Sequence, residues 1–193
     1  MKSEHANALA TAIRQMISIT DQEGAEFLSR CHAKTFPAKS WLGEQGTVAN
    51  EIFFLVSGIT RSVIVDHAGE EHTIHFSLEN QFICDYTSFM ARTPASNSIQ
   101  AVEQTEVVVL PRPAIDWGYA HLRQGDRLGR LIAEYYFVYF DSRLKNQYLY
   151  TPAQRYENIT KVFPNIHNRV PQHMIASYLG VSPVHLSRLK KLV

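Results

Sequence analysis

The chain has 193 residues, 19 Lys+Arg against 18 Asp+Glu for a formal net charge of +1, and 45% apolar residues. That balance fits one large or two small globular domains with a sizeable core, and it excludes a disordered or low-complexity chain. Only Cys31 and Cys84 carry thiols, which excludes a disulfide framework and points to a reducing cytoplasm; "MKSEHANALATAIRQM" has no long apolar run, so no signal peptide or membrane span is expected.

In chain order, the residues up to about Cys31 read as helical, with Leu9, Ile13, Met16 and Ile17 spaced for one buried face. From Phe36 to Leu110 the texture changes. "EIFFLVSGITRSVIVDHAGEEHTIHFS" holds β-branched and aromatic runs broken at Ser57-Gly58 and at Asp66–Gly69, which predicts antiparallel strands joined by turns. "SIQAVEQTEVVVL" continues the pattern from Ser98 to Leu110 with a turn near Gln104. Several short strands at turn intervals predict a small β-sandwich or barrel.

Pro111 and Pro113 close that region, and a long helix is predicted from about Asp126 to Gln147. Leu128, Ile132, Tyr135, Tyr139 and Ser142 fall 4, 3, 4 and 3 apart, a heptad-like stripe expected to meet a second copy in a homodimer. The competing reading is a helix packed on its own domain, a purpose that Leu131 and Val138 could serve. "NQYLYTP" leads to a last helical block from Ala153, whose Ile159, Val162 and Phe163 can pack beneath the C-terminal helix pair.

The final stretch, "VPQHMIASYLGVSPVHLSRLKK", reads as two short helices around Gly180. Pro171 suits a helix start, and Met174, Ile175, Tyr178 and Leu179 recur on one face. Gly180 suits a left-handed C-cap, Ser182 an N-cap and Pro183 a first helical position. Leu186 and Leu189 face inward, leaving Val184, His185, Ser187, Arg188 and Lys191 outside. Helix, glycine turn and amphipathic helix make a helix-turn-helix, whose second helix enters the DNA major groove in the proteins that use it. Charge agrees: residues 1–142 carry 11 basic against 17 acidic side chains, a net of −6, and residues 143–193 carry 8 against 1, a net of +7. Such asymmetry suits a sensor joined to a phosphate-binding module. The expected partner is double-stranded DNA. Ser182, Val184, His185, Ser187 and Arg188 are candidates at base edges or the adjoining backbone. Gln172, His173, Lys190 and Lys191 are candidates at phosphates.

In its order of helix, β-roll, long helix and C-terminal helix-turn-helix, the chain resembles the Crp/Fnr family of bacterial transcription regulators. The matching segments are "IFFLVSGITRSVIVDHAGEEHTIHF", "QFICDYTSF" as a phosphate cassette, and the final helix pair. The resemblance implies an α+β chain. It would have an N-terminal double-stranded β-helix or jelly-roll of cyclic nucleotide-binding type over residues 1–125. A long dimerisation helix and linker would span 126–150, and a helix-turn-helix domain 151–193. Val193 comes closely after the second helix, so no C-terminal wing is expected. A homodimer, a small-molecule effector and RNA polymerase are the further partners implied, with no membrane association.

The sequence departs from the family at the effector site. Cys84-Asp85 stands where nucleotide-binding members have Gly-Glu, and Ala95-Ser96 where they have Arg-Ser. Cys84, Asp85, Ser96 and Asn97 thus mark a degenerate pocket that is not expected to bind cyclic AMP in the usual way. Asp85 is left to accept from a ribose hydroxyl, and Arg92 lies near enough to stand in for the lost cation. Pro183 and Val184 replace a base-reading Arg and Glu of the best-known member, so the preferred DNA sequence should differ. No cofactor is expected: two cysteines are too few for a cubane cluster, and no histidine spacing argues for haem. Two other readings compete. One is an effector-independent DNA binder with the roll as dimer scaffold. The other is a metal-dependent cupin enzyme using His72, His75 and Glu79. Strand alternation puts residues three apart on opposite faces, so His72 and His75 would share a metal only across a bulge. One of the two is expected to face the roll interior or a strand neighbour and the other solvent.

Overall fold

The computed structural model describes residues 3–191. Two helices open the chain, α1 (Ser3–Met16) and α2 (Asp21–Leu28). A capping box starts α2: Thr20 Oγ1 accepts from the Glu23 N–H at 3.2 Å, and the Glu23 carboxylate accepts from the Thr20 N–H at 2.9 Å. Two amides without helical partners are thereby satisfied.

Eight strands come next: β1 (His32–Phe36), β2 (Trp41–Gly43), β3 (Glu51–Ser57), β4 (Thr60–Val65), β5 (Glu71–Ser77), β6 (Phe82–Ile83), β7 (Ser98–Ala101) and β8 (Thr105–Pro111). They form two antiparallel four-stranded sheets, one in the order β1-β8-β3-β6 and the other β2-β7-β4-β5. Phe36, Phe53, Leu55, Ile99, Val107 and Val109 pack between them. Alternate residues of the same strands, Phe54, Val108 and Leu110, point the other way and pack with Leu9, Ile13 and Phe27 of α1 and α2. Burial on both faces is why "IFFLV" and "VVVL" read as unbroken apolar runs. Gly58 makes the β3–β4 turn with φ +103°, and a Cβ there would lie 2.6 Å from Thr105 Oγ1. No side chain fits.

A short helix α3 (Tyr86–Ala91) lies between β6 and β7. After β8 come α4 (Arg112–His121), the 25-residue α5 (Gly125–Leu149), α6 (Pro152–Val162), α7 (Ile166–Arg169), α8 (Gln172–Leu179) and α9 (Pro183–Leu189). The C-terminal helices build a third cluster, in which Ile159, Phe163, Ile166, Ile175 and Leu179 pack with Ile59 and Phe76 of the roll.

The predicted dimer stripe on α5 is open only in part: Tyr135 and Ser142 are exposed. Leu128 is buried in the roll's own cluster, where Ile132 and Leu131 also pack, and Tyr139 packs on the C-terminal cluster. The exposed apolar side chains of α5 include Tyr135, Val138, Phe140 and Leu149 as well as Phe137 (75% exposed), Leu144 (59%) and Tyr148 (83%), which fall seven and four residues apart. A heptad-like spacing marks an apolar face without telling whether the domain or a second copy covers it. Here the domain covers Leu128, Ile132 and Tyr139 of the predicted stripe and leaves Tyr135 and Ser142 open.

Candidate functional site

At the helix-turn-helix, Gly180 closes α8 in the left-handed region at φ +68°, its N–H donating to the Ala176 and Ser177 carbonyls. Ser182 Oγ accepts from the His185 N–H at 3.1 Å and starts α9. Pro171 is the residue before α8 rather than its first turn. Leu186 and Leu189 are buried, while Val184, His185, Ser187, Arg188, Lys190 and Lys191 are exposed. His173 is exposed, whereas Gln172 is half-buried, with its Oε1 enclosed and unpaired among the described residues.

The basic excess of the C-terminal segment is only partly available. Arg143 donates to the Ile74 and Tyr178 carbonyls at 2.8 and 2.9 Å. Arg155 donates to the Gln147, Tyr150 and Leu179 carbonyls. Arg169 is held by Glu79 and Glu103, Lys145 by Asp141 and Lys161 by Asn158. Among the described residues, Arg188, Lys190 and Lys191 keep side chains free of such partners, all at or just beyond the exposed face of α9.

The second candidate is a cavity of about 220 Å³ in the roll, lined by Glu44, Glu51, Phe53, Cys84, Asp85 and Ile99 among others. Asp85 is 6% exposed. Its Oδ1 accepts from the Ser88 N–H at 2.9 Å, capping α3. Its Oδ2 accepts from the Ser96 N–H at 2.9 Å, the Ser96 hydroxyl at 3.2 Å and the Asn97 N–H at 3.3 Å. Asp85, expected to accept from a ribose hydroxyl, here accepts from four donors of the chain itself. Nor does Arg92 replace the missing cation. It caps α3 at φ 61° and donates to Asn50 Oδ1 at 2.9 Å. Lys, Arg and His are absent from the lining, and three carboxylates are present. A buried phosphate is best held by charged donors, and the amides that line this cavity already hold a carboxylate. Burial pushes the Cys84 thiol up to about 12, so it is a protonated wall rather than a reactive thiolate.

The supposed metal ligands are engaged elsewhere. A bulge does interrupt the β4–β5 register between Ser62 and Val63, yet His72 and His75 do not converge. His72 pairs with Asp66 at 2.7 Å in solvent. His75 turns away from the roll interior, against α5: its Nδ1 shares a 3.0 Å hydrogen bond with the Tyr139 hydroxyl, which lies 3.3 Å from that of Tyr178. Burial, and secondarily Arg143, lower the His75 pKa to about 3, so it is neutral. Glu79 accepts from the Gly58 N–H at 3.0 Å and from Arg169.

Sequence reading missed this whole junction. β5 is an edge strand, and its open groups are satisfied by the C-terminal helices: the Thr73 N–H donates to Ser177 Oγ at 2.8 Å, and Ile74 O accepts from Arg143. The partners lie 104 and 69 positions apart, and no local pattern announces such pairs.

Comparison with known proteins places this geometry. Residues 33–120 match the family model "Cyclic nucleotide-binding domain". That segment is similar to a cyclic nucleotide-binding domain. The domain is 31% identical over 88 residues to the cAMP-activated global transcriptional regulator CRP of Salmonella typhimurium and of Klebsiella aerogenes; the match spans 46% of this chain and 42% of each relative. The fold extends the likeness beyond the domain. FixK2 of Bradyrhizobium japonicum superposes with a TM-score of 0.72 at 13% identity over 84% of this chain and 83% of that one. The c-di-GMP responsive regulator CLP of Xanthomonas campestris gives 0.68 at 14% identity over 87% and 89%. The catabolite activator protein of Thermus thermophilus gives 0.55 at 19% identity over 94% and 85%. Domain match, relatives and fold together support a likeness to the Crp/Fnr family. Among the described residues, no helix is long and apolar enough to cross a membrane.

Proposed function

We propose that the chain is a DNA-binding transcription regulator of the Crp/Fnr type whose roll does not respond to cyclic AMP in the usual way. The observation that carries the DNA reading is α9. Two buried leucines fix one side of it, a serine cap sets its start, and its other side presents Val184, His185, Ser187 and Arg188 with Lys190 and Lys191 beyond. A helix so held can lie in a major groove, with Ser187, His185 and Val184 toward base edges and the lysines toward phosphates. Gln172 and His173 open α8 on the backbone side. Phe137, Leu144 and Tyr148 of α5 would meet their equivalents in a second copy, which would set two recognition helices about one DNA turn apart. The division into a sensor (1–125), a dimer helix and linker (126–150) and a DNA-binding unit (151–193) belongs to this reading, as do a cytoplasmic setting and RNA polymerase as partner.

The saturated Asp85 supports a second reading of the roll: a scaffold that lets the protein bind DNA without an effector. Anisotropy on a duplex selected from random sequence tests the DNA proposal. Arg188→Ala should weaken binding to the selected site by ~1–3 kcal/mol, and less to unrelated duplexes, if the residue reads a guanine. Loss of equal size on all duplexes would make it a phosphate contact. Failure of the unaltered chain to bind any duplex would overturn the proposal.

A further inference from the structure

Arg169 ends α7, directly before the helix-turn-helix, and lies between two carboxylates of the roll. Its Nη2 is 2.5 Å from Glu79 Oε1 and 2.5 Å from Glu103 Oε1; Nη1 reaches Glu79 Oε2 at 3.2 Å and Nε reaches Glu103 Oε1 at 3.1 Å. Glu79 also accepts from the Gly58 N–H, so the cluster ties α7 to the β3–β4 turn and, through Glu103, to the β7–β8 turn. One cation faces two anions, a local charge of −1. The side chains are 28%, 32% and 35% exposed, so the cluster lies at the surface, where salt and other anions reach it.

The cluster also flanks the proposed DNA surface. Ile166, which opens α7, packs in the same apolar cluster as Leu186 of α9, so α7 and α9 share one core. In this arrangement the unit that would meet phosphates has one of its cations neutralised and two roll carboxylates held against it. Resting on the DNA-binding reading, we propose that the Arg169–Glu79–Glu103 cluster is an autoinhibitory clasp. It holds the helix-turn-helix on the roll and withholds Arg169 from the DNA backbone, so that opening it raises DNA affinity. A phosphate supplies Arg169 with the same bidentate partner that Glu79 does, and so competes directly for it. The Thr73 N–H, held by Ser177 Oγ across the same junction, reports on the clasp without any DNA.

The test compares the full chain with Glu79→Gln/Glu103→Gln, each with and without Arg169→Gln, on one arbitrary duplex over a salt series. The double glutamine variant should bind roughly 3–10-fold tighter, with a log–log salt slope steeper by ~0.9, the signature of one more neutralised phosphate. Its Thr73 amide should exchange faster. Adding Arg169→Gln should remove the extra slope, whereas Arg169→Gln alone should leave the original slope unchanged. That contrast separates a released arginine from the general effect of deleting two negative charges, which would give Arg169 the same influence in both backgrounds and overturn the clasp. Unchanged Thr73 exchange in the glutamine variant would overturn it too. If the double variant fails to fold, Glu103→Gln alone carries the same comparisons. Should the unaltered chain bind duplex while the variants match it without difference, only the clasp falls. Should no form bind any duplex, the DNA reading fails and the clasp with it.

Discussion

The two sheets of the roll are covered in different ways. The β1-β8-β3-β6 sheet meets α1, α2 and the start of α5 through Phe54, Phe82, Val108, Leu110, Leu9 and Phe27, an apolar contact. The β2-β7-β4-β5 sheet meets the C-terminal helices through Ile59 and Phe76, and also through a polar seam of His75, Tyr139, Arg143, Thr73, Ser177 and Arg169. Non-directional apolar burial makes a cover that stays on, since opening it returns every contact to water at once. A seam of hydrogen bonds and partly exposed ion pairs can be exchanged for water or phosphate at small net cost. The difference suggests where this molecule is built to move.

The largest expected effect tests that contrast directly. Phe54 and Phe76 are both fully buried, one under each cover. Phe54→Ala and Phe76→Ala should each cost ~3–5 kcal/mol, but they should melt differently. Loss of Phe54 should lower a single transition of the whole roll. Loss of Phe76, which packs edge-on against Phe163 and tilted against Tyr178, should free the C-terminal helices first and split the transition. Hydrogen exchange of α8 against β3 during heating distinguishes the two outcomes, and identical profiles would erase the comparison.

The two covers also differ in how far sequence could reveal them. α1 and the strands beneath it show their pattern locally, through the spacing of Leu9, Ile13 and Ile17 and the two-sided apolar runs. The final helix pair is equally local: Gly180, Ser182, Leu186 and Leu189 sit where their sequence placed them. The polar seam joins residues up to 104 positions apart. Arg143 and Arg169 count toward the basic excess of residues 143–193, and only geometry shows them paired with the roll. Asp85 likewise read as a ligand group, because nothing local shows that Ser96 and Asn97 fold back to saturate it. The α5 stripe was legible only in part for the same reason: periodicity gives a face but not its occupant, and the domain covers Leu128, Ile132 and Tyr139 while Tyr135 and Ser142 stay open.

The middle effect belongs to His75, in the seam. Burial, then Arg143, hold its pKa at about 3, against ~6.5 once exposed. The folded pKa is the lower one, so the neutral ring's contribution is complete above ~6.5 and shrinks as pH falls towards about 3, where the buried ring itself protonates. Between about pH 7 and pH 5 this should remove ~2 kcal/mol from the sealed form, and His75→Gln should abolish that slope. Denaturant titrations at the two pH values check it. A slope that persists in the variant would assign the acid sensitivity to another group and leave the seam without its proton-dependent element.

The smallest effect separates fold from function at the far side of the seam. Ser182 Oγ accepts the His185 N–H at 3.1 Å, and Ser182→Ala should cost ~1 kcal/mol, as cap removals do. Because α9 is anchored by only Leu186 and Leu189, the loss should stay local, as faster exchange of the His185 amide with the roll's melting unchanged. Ser182→Asp keeps a capping oxygen and adds a negative charge at the helix start, which the helix dipole favours. Its stability should therefore match the unaltered chain, while its affinity for duplex falls and the deficit shrinks at high salt. Restored stability with undiminished DNA affinity would mean that the start of α9 does not face phosphates, and the recognition surface would then lie nearer Arg188 and Lys191.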